Sequence, residues 1–137
     1  MKPKILVLCT ANSARSQMGE GLFRHEVGDR FDVFSAGTRA TLVRPEAIAV
    51  MAELGIDLST HRSKTVDEFL GQEFAYVVTV CDNANETCPV FPASTRRIHW
   101  GLADPAAVTG SEEDRLGAFR RIRDELHGLV REFAQRA

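Results

Sequence analysis

The feature that most constrains this chain is a set of short apolar runs without polar interruption. Lys4-Ile5-Leu6-Val7-Leu8 and the stretch from Phe74 to Val80 are the clearest. A strand with one wet face alternates apolar and polar residues, whereas an unbroken run of branched residues is buried on both faces. Phe31 to Ser35 and Arg97 to Trp100 read as two further strands. Between the strands the period changes to that of a helix. Met18, Leu22, Phe23 and Val27 fall on one face of a segment from about Ser16 to Val27. Arg44-Pro45 opens a second helix, with Ala47, Ile48, Met51 and Leu54 on one face and Gly55 at its end. Thr65 to Glu68 carries a capping-box pattern before a short helical turn. Ser111 to Asp114 carries another, before a long helix striped by Leu116, Phe119, Ile122, Leu126, Leu129 and Phe133. Strands alternating with helices, buried on both faces, predict an α/β fold: a small doubly wound four-stranded parallel sheet with helices on both faces. With no linker or repeat in the sequence, residues 1–137 are expected to form one domain.

A formal charge of −2 and a pI near 6.1 leave no electrostatic footprint for nucleic acid or an anionic membrane. No apolar run reaches membrane-spanning length, and the first residues lack the apolar region of a signal peptide. The expected setting is the cytoplasm, and the expected state is a monomer. Thiols stay reduced in that compartment, so three cysteines in 137 residues point to catalysis, redox or metal chemistry rather than a structural framework.

In an open parallel sheet, ligands gather beyond the carboxyl ends of the strands. Cys9 stands there, after the first strand, and opens the run Thr10-Ala11-Asn12-Ser13-Ala14-Arg15-Ser16 before a helix. Backbone amides in such a loop converge into an anion-binding nest, and the helix dipole adds positive potential. The same field favours thiolate, so Cys9 is expected to titrate below the free-thiol value of about 8.5. Arg15 offers a planar fork that grips two oxygens at once. Ser16 can donate its hydroxyl proton to the Cys9 sulfur. Residues Thr10 to Arg15 are therefore the candidate oxyanion cradle, and Cys9 its nucleophile. A buried core cysteine is the bland alternative.

Cys81 follows the third strand at the same sheet edge, and Cys88 comes seven residues later, just before Pro89. If the intervening segment is helical, their Cα atoms lie about 10 Å apart at 1.5 Å rise per residue, whereas a disulfide needs less than about 7 Å. Asp82, Asn83, Asn85 and Thr87 are weak helix formers, and Pro89 biases Cys88 away from helical angles, so unwinding is cheap. A disulfide pair, a metal site and inert core thiols are the three open readings; without a suitably spaced histidine, zinc is thinly supported. Asp104-Pro105 follows the fourth strand. It reads either as a turn or as the acid that protonates an oxygen leaving a tetrahedral anion.

These residues together resemble the thioredoxin-coupled arsenate reductases built on the low-molecular-weight tyrosine phosphatase fold. The resemblance runs nearly end to end. It includes Cys9 to Met18, Ser35-Ala36-Gly37-Thr38, Pro45 with Ala47-Ile48, Gly55-Ile56-Asp57, Val80-Cys81-Asp82, Cys88-Pro89, His99-Trp100, Asp104-Pro105 and Arg123-Asp124-Glu125. It implies that Cys9 attacks arsenate with Asp104 as acid, and that Cys81 then attacks Cys9 to release arsenite. Cys88 attacks Cys81 in turn, and thioredoxin, an external reductant, reduces the Cys81–Cys88 disulfide. It implies no bound cofactor and no metal. Members that bind potassium behind the cradle use an acidic residue beside matches to Asn12, Glu20 and Ser35. Lys64 stands at that position here; either its ammonium pairs with Glu20 in place of the ion, or it is a solvated surface lysine beside Ser63 and Thr65.

Two rival functions remain on the residues alone. A phosphatase needs only Cys9, Arg15 and Asp104 and would pass through phospho-Cys9, leaving Cys81 and Cys88 without a role. Ala106-Ala107-Val108-Thr109 lacks the tyrosines that frame substrate in the phosphatase relatives, although weak activity on aryl phosphates fits. A non-catalytic oxyanion or redox sensor is the second rival, and it predicts no turnover with thioredoxin.

Overall fold

Four parallel strands form the sheet of the computed structural model, which describes residues 2–81, 91 and 94–137. They are β1 (Lys4–Cys9), β2 (Asp32–Gly37), β3 (Tyr76–Thr79) and β4 (Arg96–His99), in the spatial order β2-β1-β3-β4. Among the described residues, three α-helices follow the alternation read from the sequence: α1 (Arg15–Val27), α2 (Pro45–Ala52) and α3 (Glu112–Arg136). Short 3-10 turns occupy Val66–Phe69 and Pro105–Ala107. The third ladder is shorter than the Phe74–Val80 run. Its ends still bond to β1, through Ala75 N–H to the Lys4 carbonyl and Val80 N–H to the Leu8 carbonyl, both at 2.9 Å.

Period-two alternation assigns the faces. Ser35 reaches Glu20 of α1, so its neighbour Phe34 points the other way, where it meets the rings of Phe69 and Phe74 at 5.5 and 6.4 Å. Helical segments thus cover both faces, α1 and α3 on one and the Val66–Phe69 turn on the other. On the first face Phe133 of α3 packs edge-on against Tyr76 at 4.9 Å and Phe23 at 5.3 Å, and Phe23 stacks on Trp100 at 5.7 Å. Among the described residues, no helix is long and apolar enough to cross a membrane.

Several local expectations change in the fold. The Ser111 capping box forms reciprocally, with Asp114 N–H to Ser111 Oγ at 3.1 Å and Ser111 N–H to Asp114 Oδ2 at 3.2 Å. The Thr65 box does not form, because Arg62 takes the Glu68 carboxylate in a two-pronged pair at 2.6 and 2.9 Å. In α2 it is Val50, not Leu54, that completes the buried face; Leu54 lies past the last helical turn, beside Gly55 at φ +77°. In α3, Val130 is buried where the stripe named Leu129. The buried Arg123 of α3 explains part of that docking. Its Nη1 donates to the Val50 carbonyl at 2.8 Å and to Glu53 Oε1 at 2.7 Å, closing the C-terminal end of α2.

Candidate active site

The parallel arrangement brings the carboxyl ends of β1, β2 and β3 to one edge, and the candidate residues gather there. Cys9 ends β1, and the chain turns through Thr10 to Ala14 into α1. The turn requires a left-handed residue, and Asn12 takes that conformation at φ +48°, one that asparagine tolerates better than most side chains. Its fully buried amide holds the turn. Nδ2 donates to Ser16 Oγ at 2.8 Å and Ser35 Oγ at 3.0 Å, while Oδ1 accepts from Gln17 Nε2 at 2.8 Å and Lys64 N–H at 3.0 Å. Gly37 lets β2 come close: a Cβ there would lie 2.6 Å from the Thr10 carbonyl oxygen. Ala14, just before the helix, supplies no side-chain cap, and the first turn holds no acidic residue, so the leading amides and positive dipole end of α1 are unneutralised by side chains of that turn.

Cys9, Thr10 and Ala14 line a pocket of about 230 Å³ together with Arg15 and Asp104. Arg15 is fixed from one side by Nη1–H to the Leu102 carbonyl at 2.9 Å, and its Nη2 lies 3.9 Å from Asp104 Oδ2. Its Nε is the one buried side-chain nitrogen or oxygen without a hydrogen-bond partner among the described residues. Asp104 is 48% exposed and caps the Pro105–Ala107 turn through Oδ1, which accepts from Ala106 N–H at 3.0 Å; Oδ2 is left toward the guanidinium.

The thiols depart from expectation. Cys9 and Cys81 are both buried and reduced, and Cys81 Sγ sits 3.3 Å from Thr10 Oγ1. The neighbouring Cys81 thiol together with burial pushes the Cys9 thiol up, against the pull of the Arg15 charge and the Thr10 backbone N–H. The loop and Arg15 do act in the sense read from the sequence, but a second thiol nearby outweighs them. Ser16 also differs: the hydrogen bond its oxygen makes here is the one accepted from Asn12, not one to the Cys9 sulfur, which leaves its own proton available. Cys88, and with it the Asp82–Thr87 segment, lies outside the described residues.

Behind the cradle Lys64 stands where the sequence put it. Its Nζ lies 3.5 Å from Glu20 Oε1, 3.4 Å from Ser35 Oγ and 3.3 Å from the Arg62 carbonyl, the centre of an oxygen set. Glu20 also meets Arg24 at 3.0 Å and His61 at 3.4 Å. Burial lowers the Lys64 ammonium below its ordinary range, opposed by Glu20, and burial likewise lowers His61. Two groups of residues were not singled out from the sequence. Gln17 and His61 brace Asn12 from behind, with His61 Nδ1 3.0 Å from Gln17 Oε1. Arg39 and Arg44 line the mouth of the pocket. The segment after β2 ends at the same sheet edge as Cys9, which is the signal that could have found them.

A buried thiol, an arginine and a carboxylate thus line one pocket at the carboxyl edge of a parallel α/β sheet, where the first helix begins. Residues 4–137 match the low molecular weight phosphotyrosine protein phosphatase family, and the chain belongs to that family. Within it, an arsenate reductase of Halalkalibacterium halodurans is 45% identical over 134 residues, 98% of this chain and 96% of that protein. A solved structure of an arsenate reductase in oxidized state superposes with a TM-score of 0.84 at 28% identity, over 99% of this chain and 98% of the other. The thioredoxin-dependent arsenate reductase of Corynebacterium glutamicum gives 0.76 at 25% identity, over 96% of this chain and 60% of the other.

Proposed function

We propose that the chain is an arsenate reductase working through a three-thiol relay that thioredoxin resets. The observation that carries this reading is a second buried thiol, Cys81, set beside the pocket that Cys9 lines, with its sulfur 3.3 Å from the hydroxyl of Thr10, the residue next to Cys9. A hydrolase has no use for a thiol in that place. Its curated relatives of like length support the same substrate.

In the proposed sequence, arsenate binds against the loop amides and the Arg15 fork. Cys9 sulfur forms a bond to arsenic, an arsenate oxygen leaves as water, and Asp104 supplies the proton. Cys81 thiolate then attacks the Cys9 sulfur. The sulfur–arsenic bond breaks with its electron pair on arsenic, which departs as arsenite, and a Cys9–Cys81 disulfide remains. Cys88 thiolate attacks Cys81, returning Cys9 as thiolate, and a thioredoxin dithiol reduces the Cys81–Cys88 bond. Two electrons pass from thioredoxin to arsenic in each cycle.

The test follows NADPH consumption with arsenate, thioredoxin and thioredoxin reductase. The wild type should turn over continuously. Cys88→Ser should release one arsenite per chain and stop as the Cys9–Cys81 disulfide, identifiable by peptide mass. Sustained turnover by Cys88→Ser with thioredoxin alone would sink the relay. Phosphatase activity at the wild-type arsenate rate, unaffected by loss of Cys81, would favour the hydrolase reading through phospho-Cys9.

A further inference from the structure

The chain carries a net charge of −2, so on average it repels an oxyanion. Any attraction has to be local. Beyond Arg15, which is mostly buried, the residues lining the pocket include two more arginines, Arg39 and Arg44, both exposed. Six arginines elsewhere are committed to carboxylates, namely Arg24, Arg62, Arg115, Arg120, Arg123 and Arg131, and Arg30 is spent on the Ala134 and Ala137 carbonyls. Among the described residues Arg96, Arg121 and Arg136 have no such partner, but they do not line this pocket. Among the described residues no carboxylate pairs with Arg39 or Arg44.

Their placement is fixed by the backbone. Arg39 N–H donates to the Thr10 carbonyl at 3.1 Å and Arg44 N–H to the Ser13 carbonyl at 2.8 Å. Between them Thr41 Oγ1 donates to the Ala11 carbonyl at 3.0 Å, and just before them Thr38 Oγ1 donates to the Thr10 carbonyl at 3.2 Å. The whole 38–44 segment is thus strapped to the outer side of the cradle. These bonds occupy the carbonyls of Thr10, Ala11 and Ser13. A flexible arginine on a free loop would be solvated and count for little. Two unpaired arginines anchored at a concave mouth focus positive potential where the substrate must enter.

We propose that Arg39 and Arg44 form a cationic collar that captures the oxyanion before the Arg15 fork takes it, and so set substrate affinity. The proposal rests on the reading of the pocket as an arsenate site, and it concerns binding rather than chemistry. Arg39→Gln and Arg44→Gln keep the backbone bonds and remove only charge. Each should raise KM about 1.5- to 5-fold, the effect of one exposed charge pair. The double variant should raise it roughly tenfold with kcat changed far less, taking the two pairs as additive. Its log kcat/KM should also fall less steeply with added salt, because the screened interaction is gone. Lys2→Gln removes one positive charge at the opposite edge of the sheet and should leave KM and salt slope as in the wild type. Calorimetric binding of inorganic phosphate, which needs no turnover, should weaken in step with KM.

The outcomes separate the two readings. A double variant with wild-type KM, phosphate affinity and salt slope overturns the collar while arsenate reduction stands. Weakened phosphate binding in a protein that never reduces arsenate leaves the collar standing and removes the reductase.

Discussion

Arg15→Lys removes a specific atom from the site and leaves its charge. In the folded chain Arg15 Nη1 is already committed to the Leu102 carbonyl, while the buried Nε has no partner. An unsatisfied buried donor costs about 1–3 kcal/mol, and a hydrogen bond to a charged group contributes about 1.5–3 kcal/mol. An oxyanion in the pocket relieves the first and gains the second. Lysine presents one rotatable ammonium and cannot point donors at Leu102 and at the anion together. The loss on substitution should be about 2–3 kcal/mol of anion binding, roughly 30- to 150-fold in Kd.

The assay is thermal unfolding with and without arsenate, or phosphate as an unreactive mimic. At about a hundred times Kd a ligand stabilises by about 2.7 kcal/mol, which for a chain of this size raises Tm by roughly 8–12 °C. At the same anion concentration Arg15→Lys should keep less than about a third of that rise. Without anion its Tm should equal or exceed the wild-type value, because the orphan donor has gone. A full anion-induced rise in Arg15→Lys would refute the assignment of Nε to the oxyanion. A large fall in Tm without anion would show that Arg15 is chiefly a structural tie to Leu102.

Cys81→Ala removes the neighbour that does most to raise the Cys9 thiol, leaving the Arg15 charge and the Thr10 amide to pull it down, so the midpoint of Cys9 alkylation should move to lower pH than in the wild type. An unchanged midpoint would mean that burial alone sets it. Activity and Tm should be indifferent to KCl against NaCl at equal ionic strength, because the Lys64 ammonium occupies the oxygen set of Glu20, Ser35 and Arg62. Lys64→Asp should create a potassium preference by restoring an oxygen ligand set, and potassium stimulation of the unmutated protein would remove the idea.

Much of this was legible in the residues, and the exceptions have physical causes. Unbroken apolar runs give β1 and β3 because no other short element is apolar on all sides, and Pro45 and Ser111 mark helix starts through local chemistry. The Thr65 box failed because a capping signal is only a local offer. Arg62, six residues upstream of Glu68, made a better one with two charge-assisted bonds. Leu54 dropped out because α2 ends at Ala52, before reaching it. Leu129 yielded to Val130 because helical spacing fixes a stripe but not which flank of it meets the neighbouring elements. At the site, Cys9, Arg15 and Asp104 are recognisable from type and position after strands. The raised Cys9 thiol was not, since it depends on Cys81, 72 positions away in the chain (81 − 9). Arg39 and Arg44 carry no motif at all; only the strapping of their segment to the cradle gives them a place.

The bracing of Asn12 has a thermodynamic corollary. Its left-handed turn is held by partners from α1, β2 and the Lys64 backbone, so the entropy of shaping the cradle is lost when the chain folds and not when an oxyanion arrives. Binding to such a rigid polar site removes little apolar surface from water and orders few side chains. Its calorimetric record should therefore show a heat-capacity change close to zero and an enthalpy nearly constant with temperature. A cradle that assembled around its ligand would betray itself by a steep, curved enthalpy across the same range.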